Sequence, residues 1–234
     1  MKRLILLSAL LALPVQAQAQ DASPRTLSVS GTGEATGTPD MATLRFSATT
    51  RSATAEEALT GNAQKMAAVR DRLRTLNVES RDMQTSGLSL SPYYEQNENG
   101  RYDRAVIAGY EAMNGLTVRL RGTDGAGEVI DAAVQAGANG LDSFSFGFQD
   151  DEALQDEARR DAVRDAREKA ELLAKEAGVS LGRVVTLTET GGGGGPQPYY
   201  DGRMMRMQAE AAPTPVEAGE QSVTASVQIT YELR

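Results

Sequence analysis

Apolar and polar residues alternate in several stretches of the chain, and each such stretch predicts a β-strand. The longest lies near the C-terminus, where every second residue from Val223 to Leu233 is apolar. Because successive side chains of a strand point to opposite faces, this run predicts an antiparallel strand with one buried face. Phe144, Phe146 and Phe148 alternate likewise, so we expect their rings to share one face of a central strand and to form core.

Shorter alternating runs predict the other strands. Residues 27–38 and 42–48 alternate on either side of Pro39-Asp40, which predicts a β-hairpin. Residues 190–215 contain a glycine run and are expected to form a flexible loop. Further strands are predicted at residues 82–90, 112–120 and 184–189.

The first predicted strand contains three glycines, Gly31, Gly33 and Gly37. Their spacing misses that of a dinucleotide-binding loop by one residue, and a second strand follows rather than a helix. A phosphate-binding loop needs a helix N-terminus to hold its anion, so that function is disfavoured. We expect Gly31 and Gly33 to mark a bulge or the close approach of another backbone.

Helices are predicted where apolar residues recur every three or four positions. Thr54-Ala-Glu-Glu57 is a capping box, so we expect a helix to begin there and to run to about Asn77. A shorter helix is predicted around residues 129–134, ending at Gly137-Ala138-Asn139-Gly140. The apolar stripe of the first helix contains Ala55, Leu59, Asn62, Met66, Val69, Leu73 and Leu76.

The longest helix is predicted from Asp151 to Ala177, and Gly178 follows it at the position where helices commonly end. At ~1.5 Å per residue this helix is about 40 Å long. Its apolar face is a narrow alanine seam, and alanines allow a helix to pack closely on a sheet. The predicted seam consists of Leu154, Ala158, Ala162, Ala166, Ala170, Leu173 and Ala177.

The two halves of the chain after the leader, about 27–122 and 123–234, share a weak pattern of helix, strand, long hairpin and strand. Their hairpins carry Pro92-Tyr93-Tyr94-Glu95 and Pro198-Tyr199-Tyr200-Asp201. We therefore expect an α+β fold of antiparallel sheets flanked by helices, with an α-β-β pseudo-repeat. Projecting hairpins commonly serve contacts between molecules, so these arms are the candidate assembly surface.

The first residues have the composition of a secretory signal peptide. Lys2-Arg3 is basic, Leu4 to Leu13 is apolar, and Ala17-Gln18-Ala19 is a small-x-small cleavage site. The apolar run is shorter than the ~20 residues that cross a bilayer. We expect residues 1–19 to be removed, residues 20–26 to form a spacer, and the mature protein to be soluble and periplasmic.

Composition excludes several classes of function. Removal of Lys2 and Arg3 leaves 22 basic against 32 acidic residues, a net charge of −10, which is unfavourable for nucleic-acid binding. The chain has no cysteine and no histidine. It therefore lacks disulfides, a thiol nucleophile and the commonest general base and metal ligand. We assign no catalytic, cofactor-binding or metal-binding residue.

Three hypotheses for chemistry remain. Met204, Met205 and Met207 carry thioether sulfurs that could bind Cu(I). A carboxylate-only hydrolase would need two facing acids, one of them with a raised pKa. Acidic residues at the start of the long helix could bind a metal, but the helix dipole already explains acids at that place. These acids are Asp150, Asp151, Glu152, Asp156 and Glu157.

Six stretches, spread over nearly the whole mature chain, carry a resemblance to a known family. They are Val29-Ser-Gly-Thr-Gly-Glu34 with Pro39-Asp40, Gly109-Tyr-Glu-Ala-Met-Asn114, Gly127-Glu-Val-Ile-Asp131, Gly137-Ala-Asn139 with Phe144 and Phe146, Ala162 to Ala177 with Lys169, Ala170 and Leu173, and Pro215-Val-Glu217-x-Gly219-Glu220 leading to Tyr231-Glu-Leu233. Together they resemble the bacterial SIMPL-domain proteins, also called the periplasmic immunogenic protein family. The run from Gly191 to Gly195 and the loop sequences depart from the pattern.

The resemblance implies an α+β domain, a place in the cell envelope and a tendency to form ring-like homo-oligomers. It implies no enzymatic activity, and it brings an association with envelope and oxidative stress and with host antibody recognition. We interpret the protein as a non-enzymatic homo-oligomeric envelope scaffold or binding module. The alternatives are a ligand- or copper-binding stress protein using Met204, Met205 and Met207, and a carboxylate-only hydrolase.

Overall fold

The computed structural model describes residues 25–96, 102–191, 197–199 and 214–234, which form two antiparallel sheets and three α-helices. The predicted α+β class is confirmed. In chain order the elements are β1 (Thr26–Gly37), β2 (Met41–Ser52), α1 (Ala55–Thr75), a 3₁₀ turn (Ser80–Asp82), β3 (Met83–Gln96), β4 (Tyr102–Arg121), α2 (Ala126–Ala136), β5 (Gly140–Gly147), α3 (Glu152–Glu176), β6 (Leu181–Gly191), β7 (Gln197–Tyr199) and β8 (Glu220–Leu233).

The two sheets have similar strand orders. Sheet I has the order β3-β4-β2-β5, and sheet II has the order β1-β8-β6 with β7 also pairing with β8. In each sheet a helix, an outer strand and a central strand occur in that order along the chain, as α1-β3-β4 and as α3-β6-β8, with the short β7 between β6 and β8. The sheets also exchange strands, because β1 from the first half joins sheet II and β5 from the second half joins sheet I. The division into halves near residue 122 stays a prediction.

The predicted hairpin of residues 27–38 and 42–48 is wrong, because β1 and β2 lie in different sheets. Asp40 directs the crossing between them. Its backbone N–H donates to Gly147 and its carbonyl accepts from Gly122, while its side chain accepts from the N–H of Gln149 at 2.7 Å. These bonds carry the chain from sheet II into sheet I instead of turning it back along β1.

Sheet I encloses the larger hydrophobic core. Thr54 caps α1 as predicted, with its Oγ1 accepting from the N–H of Glu57 at 3.3 Å. The buried face of α1 is shifted at its start, because Ala58 is buried in place of the predicted Leu59. The core is formed by Ala42, Leu44, Phe46, Ala48, Met66, Val69, Leu73, Val78, Leu116, Val118, Leu120, Ala126, Val129, Ile130, Ala133 and Ala138.

The phenylalanine strand lies at the edge of sheet I, not at its centre, since among the described strands β5 pairs with β2 alone. Phe144 and Phe146 do share the core-facing side, with ring centroids 4.7 Å apart in an edge-to-face arrangement. Both are only partly buried, because an edge strand has a neighbour on one side. Phe148 follows the end of β5 and approaches Gly37 and Leu154 instead.

In the core of sheet II the helix contributes small residues only. Helix α3 lies over β1 and β8, and its alanines at positions 158, 162, 166, 170 and 174 are all buried. A Cβ atom on Gly31 would overlap the carbonyl oxygen of Ala162, and one on Gly33 would overlap that of Ala158. The expectation of a close backbone approach at these glycines is therefore confirmed.

The predicted seam is wrong at its C-terminal end. Ala174 continues the spacing of four, whereas Leu173 is 50% exposed and Ala177 is exposed beyond the helix. Five alanines at steps of four rotate slowly around the helix, and the seam follows that rotation across the sheet. Gly178 adopts the positive φ of 69° expected after a helix end.

The hairpin of β3 and β4 is longer than predicted. Pro92, Tyr93 and Tyr94 belong to β3 and pair with β4, although the sequence predicts a loop there. In sheet II, Pro198 and Tyr199 of β7 pair with β8. Of the predicted loop 190–215, residues 192–196 and 200–213 lie outside the described residues, as do residues 1–24 with the predicted leader.

The segment before β8 connects the two sheets. Thr214 bonds to Asp131 of α2 through its hydroxyl at 2.7 Å, and a Cβ on Gly127 would overlap the carbonyl oxygen of Thr214. Val216 packs against the core of sheet I before the chain enters sheet II. Within the described ranges, no helix is both long and apolar enough to cross a membrane.

Candidate functional site

Three of the acidic residues at the start of α3 bond to nearby groups of the same helix. Asp150 accepts from the backbone N–H of Glu152 at 3.0 Å, and Asp151 accepts from the side chain of Gln155 at 2.8 Å. Asp156 pairs with Arg159 at 3.2 Å. Over the described part of the chain, no three acidic side chains form a group able to hold a metal ion. A bond to the first helical N–H accounts for Asp150, a bond to the amide of Gln155 for Asp151, and an ion pair for Asp156.

The methionine hypothesis concerns residues outside the described ranges. Met204, Met205 and Met207 all fall in the segment 200–213. Copper binding by these sulfurs stays a prediction.

One cavity lies at the end of sheet I, between the C-terminus of α1 and the start of α2. It has a volume of about 350 Å³, and Asp82, Arg119 and Arg121 line its polar side. Arg121 donates twice to Asp82 at 3.1 Å, and these bonds hold the pKa of that carboxyl below its usual range. The acid is kept ionised, which is the opposite of the raised pKa that a general acid requires.

The second carboxyl with a displaced pKa closes an edge of sheet II. Asp165 of α3 accepts from Lys169 at 2.6 Å and from the backbone N–H of Thr32 at 2.8 Å. These two bonds, that of Lys169 first, hold its pKa below the usual range. Lys169 also donates to the carbonyl of Ser30 at 3.3 Å. Two outward backbone groups of β1, the N–H of Thr32 and the carbonyl of Ser30, are thus occupied by side chains, which hinders strand addition at this part of the edge.

A buried amide fixes α1 over two strands of sheet I. Asn62 is fully buried and donates from Nδ2 to the carbonyl oxygens of Ala48 at 2.6 Å and Ala112 at 2.9 Å. The small side chains of these alanines let the amide reach the backbone of β2 and β4. These two bonds hold α1 over β2 and β4, and neither of them involves β3.

The first exposed apolar surface lies on the hairpin of β3 and β4, and we call it the arm face. Leu88 and Leu90 pair with Asn114 and Ala112, so they lie on the helix side of sheet I, yet Leu88 is 62% exposed. Ile107, further along the hairpin, is also exposed. The arm face consists of Leu88, Leu90 and Ile107.

The second exposed apolar surface lies between α3 and β6, and we call it the ledge. Val184 and Leu187 of β6 pair with Tyr231 and Ile229, which are buried under α3. Helix α3 contacts β6 only slightly, so Leu187 is 54% exposed on the same side of the sheet. Val163 of α3 is exposed beside it. The ledge consists of Val163, Val184 and Leu187.

The sequence predicts neither the ledge nor the bonds of Asp165 and Lys169 to the edge of β1. The spacing of Asp165 and Lys169 predicts a helical ion pair, but nothing in it indicates the contact with β1. Leu187 belongs to an alternating run like that of Ile229, and alternation does not say whether a helix covers the strand.

The stretches that carry the family resemblance hold contacts between elements. Gly31 and Gly33 lie under α3, and Gly127 lies under the segment before β8. Asn139 exchanges two hydrogen bonds of 2.8 Å with the backbone of Thr49. These residues specify packing, and they do not converge on one cavity.

Comparison with known proteins gives one family and a set of relatives. The family model described as "SIMPL: Protein of unknown function (DUF541)" matches residues 27–231. The chain is 35% identical over 236 residues to the "26 kDa periplasmic immunogenic protein" of Brucella melitensis, covering 98% of this chain and 94% of the relative. The protein of that name from Brucella abortus matches equally well. The "Uncharacterized protein YggE" of Escherichia coli K12 is 29% identical over 199 residues, 85% of this chain and 77% of the relative.

Proposed function

The chain belongs to the SIMPL family, and from that premise we propose that it is a non-enzymatic periplasmic protein that assembles with copies of itself in the cell envelope. The assembly acts as a scaffold or binding module. A link to envelope and oxidative stress is part of the proposal, and the family resemblance alone supports it.

The location is supported by the name of the Brucella relatives, which calls them periplasmic. The leader-like composition of residues 1–19 agrees with export. Cell fractionation tests this part, with full-length protein expected in the periplasmic fraction and a variant lacking residues 2–19 expected in the cytoplasm. Equal distribution of the two proteins would contradict export.

Self-assembly is supported by one observation, the exposed apolar side chains on the outer strands of both sheets. Leu88 and Leu187 are more than half exposed, although each pairs across its strand with a residue of the helix side. Contiguous exposed apolar surface usually marks a contact with another molecule. In an exported chain without cysteine, such contacts also contribute stability that disulfides do not supply.

Light scattering coupled to size-exclusion chromatography tests assembly on the mature chain at micromolar concentration. We expect a mass several times that of one chain, which is 24.9 kDa with the leader included. A single species with the mass of one chain over the whole concentration range would overturn the proposal.

The absence of enzymatic activity is part of the proposal and has its own support. Among the described residues, the two carboxyl groups with displaced pKa values are Asp82 and Asp165, and cationic partners lower both pKa values. Structural ion pairs have this signature, whereas a general acid has a raised pKa. Hydrolysis of a glycoside or ester substrate by the wild type, lost in Asp82→Asn or in Asp165→Asn, would contradict the proposal that the protein is not an enzyme.

A further inference from the structure

We propose that the cavity at the end of sheet I binds a short peptide that has free termini and an apolar side chain. Arg119 binds the carboxylate of the peptide, Asp124 binds its ammonium group, and the apolar wall of the cavity contacts its side chain. This inference rests on the binding-module part of the proposed function and is independent of self-assembly.

The apolar wall of the cavity belongs to the core of sheet I. Strand β3 begins at Met83, which pairs with Val118, whereas β4 continues to Arg121. The cavity lies beside this unpaired end of β4, and its volume of about 350 Å³ is within the range of small-ligand sites. A small apolar group can therefore reach the core here. The residues of the apolar wall are Leu76, Val78, Leu120 and Val129, of which all but Leu76 are buried.

Two ion pairs occupy most of the charged groups at the cavity. Arg121 donates twice to Asp82 at 3.1 Å, and Arg81 pairs with Glu79 at 2.8 Å. The opposite charges of each pair lie close together and largely cancel at a distance. Neither pair therefore selects a ligand of one sign.

Two further charged residues line the cavity without such a partner. Among the described residues, neither Arg119 nor Asp124 forms an ion pair, and both side chains are exposed to a ligand. Bonds from Arg121 are the first cause that lowers the pKa of Asp82, and the charge of Arg119 lowers it further. The Arg119 guanidinium therefore lies near the polar side of the cavity. An arginine is well suited to bind a carboxylate, because it can donate two parallel hydrogen bonds.

The balance of charge favours a ligand that is neutral as a whole. Three arginines at the cavity match three acids, although the whole chain has a net charge of −8. A simple anion would be repelled by Asp124, and a simple cation would be repelled by Arg119. A peptide with free termini offers one charge to each of these residues and adds no net charge. The six charged residues are Arg81, Arg119, Arg121, Glu79, Asp82 and Asp124.

Two glycines leave space for the peptide between β4 and α2. Gly122 and Gly125 both line the cavity, and a Cβ atom added to either would meet no other atom within 4 Å. Backbone without a side chain lets a ligand approach closely. The peptide can therefore lie against this connection without displacing any side chain of the two glycine positions.

Titration calorimetry with four matched peptides tests the three contacts. The first probe is alanyl-leucine, which we expect to bind with a Kd of about 1 mM or lower. Its C-terminal amide, its N-acetyl form and alanyl-glycine each lack one contacted group, so each should bind at least about tenfold more weakly. Equal affinity for all four peptides would overturn the proposal. So would the absence of binding of alanyl-leucine at about 10 mM, ten times the expected Kd.

Substitutions assign the two charged contacts to their residues. Arg119→Gln should weaken the binding of alanyl-leucine at least about tenfold, yet bind the C-terminal amide as wild type does. Asp124→Asn should weaken alanyl-leucine likewise, yet bind the N-acetyl form as wild type does. Both positions are exposed, so the fold tolerates these changes.

Arg45→Gln is the matched control. Arg45 is an exposed arginine of β2 that does not line the cavity and, within the described part of the chain, forms no ion pair. The variant should bind alanyl-leucine as wild type does. Equal losses of affinity in Arg45→Gln and Arg119→Gln would overturn the proposed contact, because they would indicate a general effect of charge.

The outcomes separate this inference from the proposed self-assembly, which light scattering measures. An assembled wild type that binds none of the peptides would overturn this inference and keep self-assembly. A wild type with the mass of one chain that binds alanyl-leucine would overturn self-assembly and keep this inference. Binding of the N-acetyl form as tight as that of alanyl-leucine would overturn the contact with Asp124, because it would indicate a ligand recognised by its carboxylate alone.

Discussion

Sheets I and II share an α-β-β order, but their helices are held by opposite means. Sheet I meets α1 through large side chains such as Phe46 and Leu73, which fill the space between helix and strands. Sheet II meets α3 through Gly31, Gly33 and a seam of alanines, which remove that space. The interface of sheet I with α1 depends on side-chain volume, whereas the interface of sheet II with α3 depends on side chains small enough for the two backbones to approach. The first is therefore sensitive to loss of side-chain atoms and the second to their gain.

Truncation in sheet I has the largest expected effect on stability. Phe46 is fully buried between β2 and the helices, so Phe46→Ala should lower the free energy of unfolding by about 3 to 5 kcal/mol. Urea denaturation at one fixed protein concentration measures this change. Val134→Ala, at an exposed position of α2, is the control and should change stability by less than about 0.5 kcal/mol. Similar losses in both variants would contradict a core that depends on volume.

Enlargement in sheet II comes next. A Cβ on Gly33 would overlap the carbonyl oxygen of Ala158, which belongs to a helix backbone and cannot rotate away. Gly33→Ala should therefore cost about 3 kcal/mol, at the upper end for added methyl groups. Gly87→Ala in β3 is the matched control, since a Cβ added there would meet no atom within 4 Å. If Gly33→Ala and Gly87→Ala have the same urea midpoint, α3 does not lie on β1 as described.

The edge of sheet I should respond more weakly than its centre. Phe146 is partly buried on β5, so Phe146→Ala should cost about 2 kcal/mol rather than the value for a fully buried ring. A double-mutant cycle with Phe144 should give a coupling of about 0.5 to 1.5 kcal/mol from their edge-to-face contact. Leu141→Ala, exposed on the same strand, is the control. A loss below about 1 kcal/mol for Phe146→Ala would place that face on the surface and reopen its use for binding.

Local patterns in the sequence predict the elements well but not their partners. The cap at Thr54, most of the alanine seam and the alternation of β8 depend on neighbouring residues, so the sequence contains them directly. The pairing of β1 with β8 joins residues about 200 positions apart, and alternation alone does not specify a partner. For that reason Pro39-Asp40 predicts a hairpin turn that the fold does not contain.

The candidate surfaces could be predicted only in part. The hairpin arm follows from two alternating runs around a polar turn, and the sequence indicates it as an assembly surface. The ledge depends on how far α3 extends over sheet II. That distance is set by Gly31 and Gly33, which draw the helix towards β1 and away from β6. The sequence shows the two glycines, but it does not show that the position of α3 over them leaves β6 largely uncovered.

The smallest expected effect concerns the dependence of stability on pH. Asp165 lies partly exposed beside β1, and Lys169 and the N–H of Thr32 hold its pKa below the ordinary value of 3.8. A carboxyl with a depressed folded pKa stabilises the fold above its unfolded pKa, and this contribution is lost as the pH falls through the folded pKa. Wild type should therefore lose stability below about pH 4, and Asp165→Asn should lose less over that window.

Urea midpoints at neutral pH and at several pH values below about 4 measure this difference. Asp82→Asn is the counterpart in sheet I, because Arg121 holds the pKa of that carboxyl down in the same direction. Only Asp165→Asn also weakens the closure of the β1 edge, so it alone should increase concentration-dependent association at neutral pH. Parallel acid sensitivity in wild type and Asp165→Asn would show that Lys169 and Thr32 do not stabilise the charged form. Unchanged association would show that the helix backbone, rather than these side chains, protects the edge.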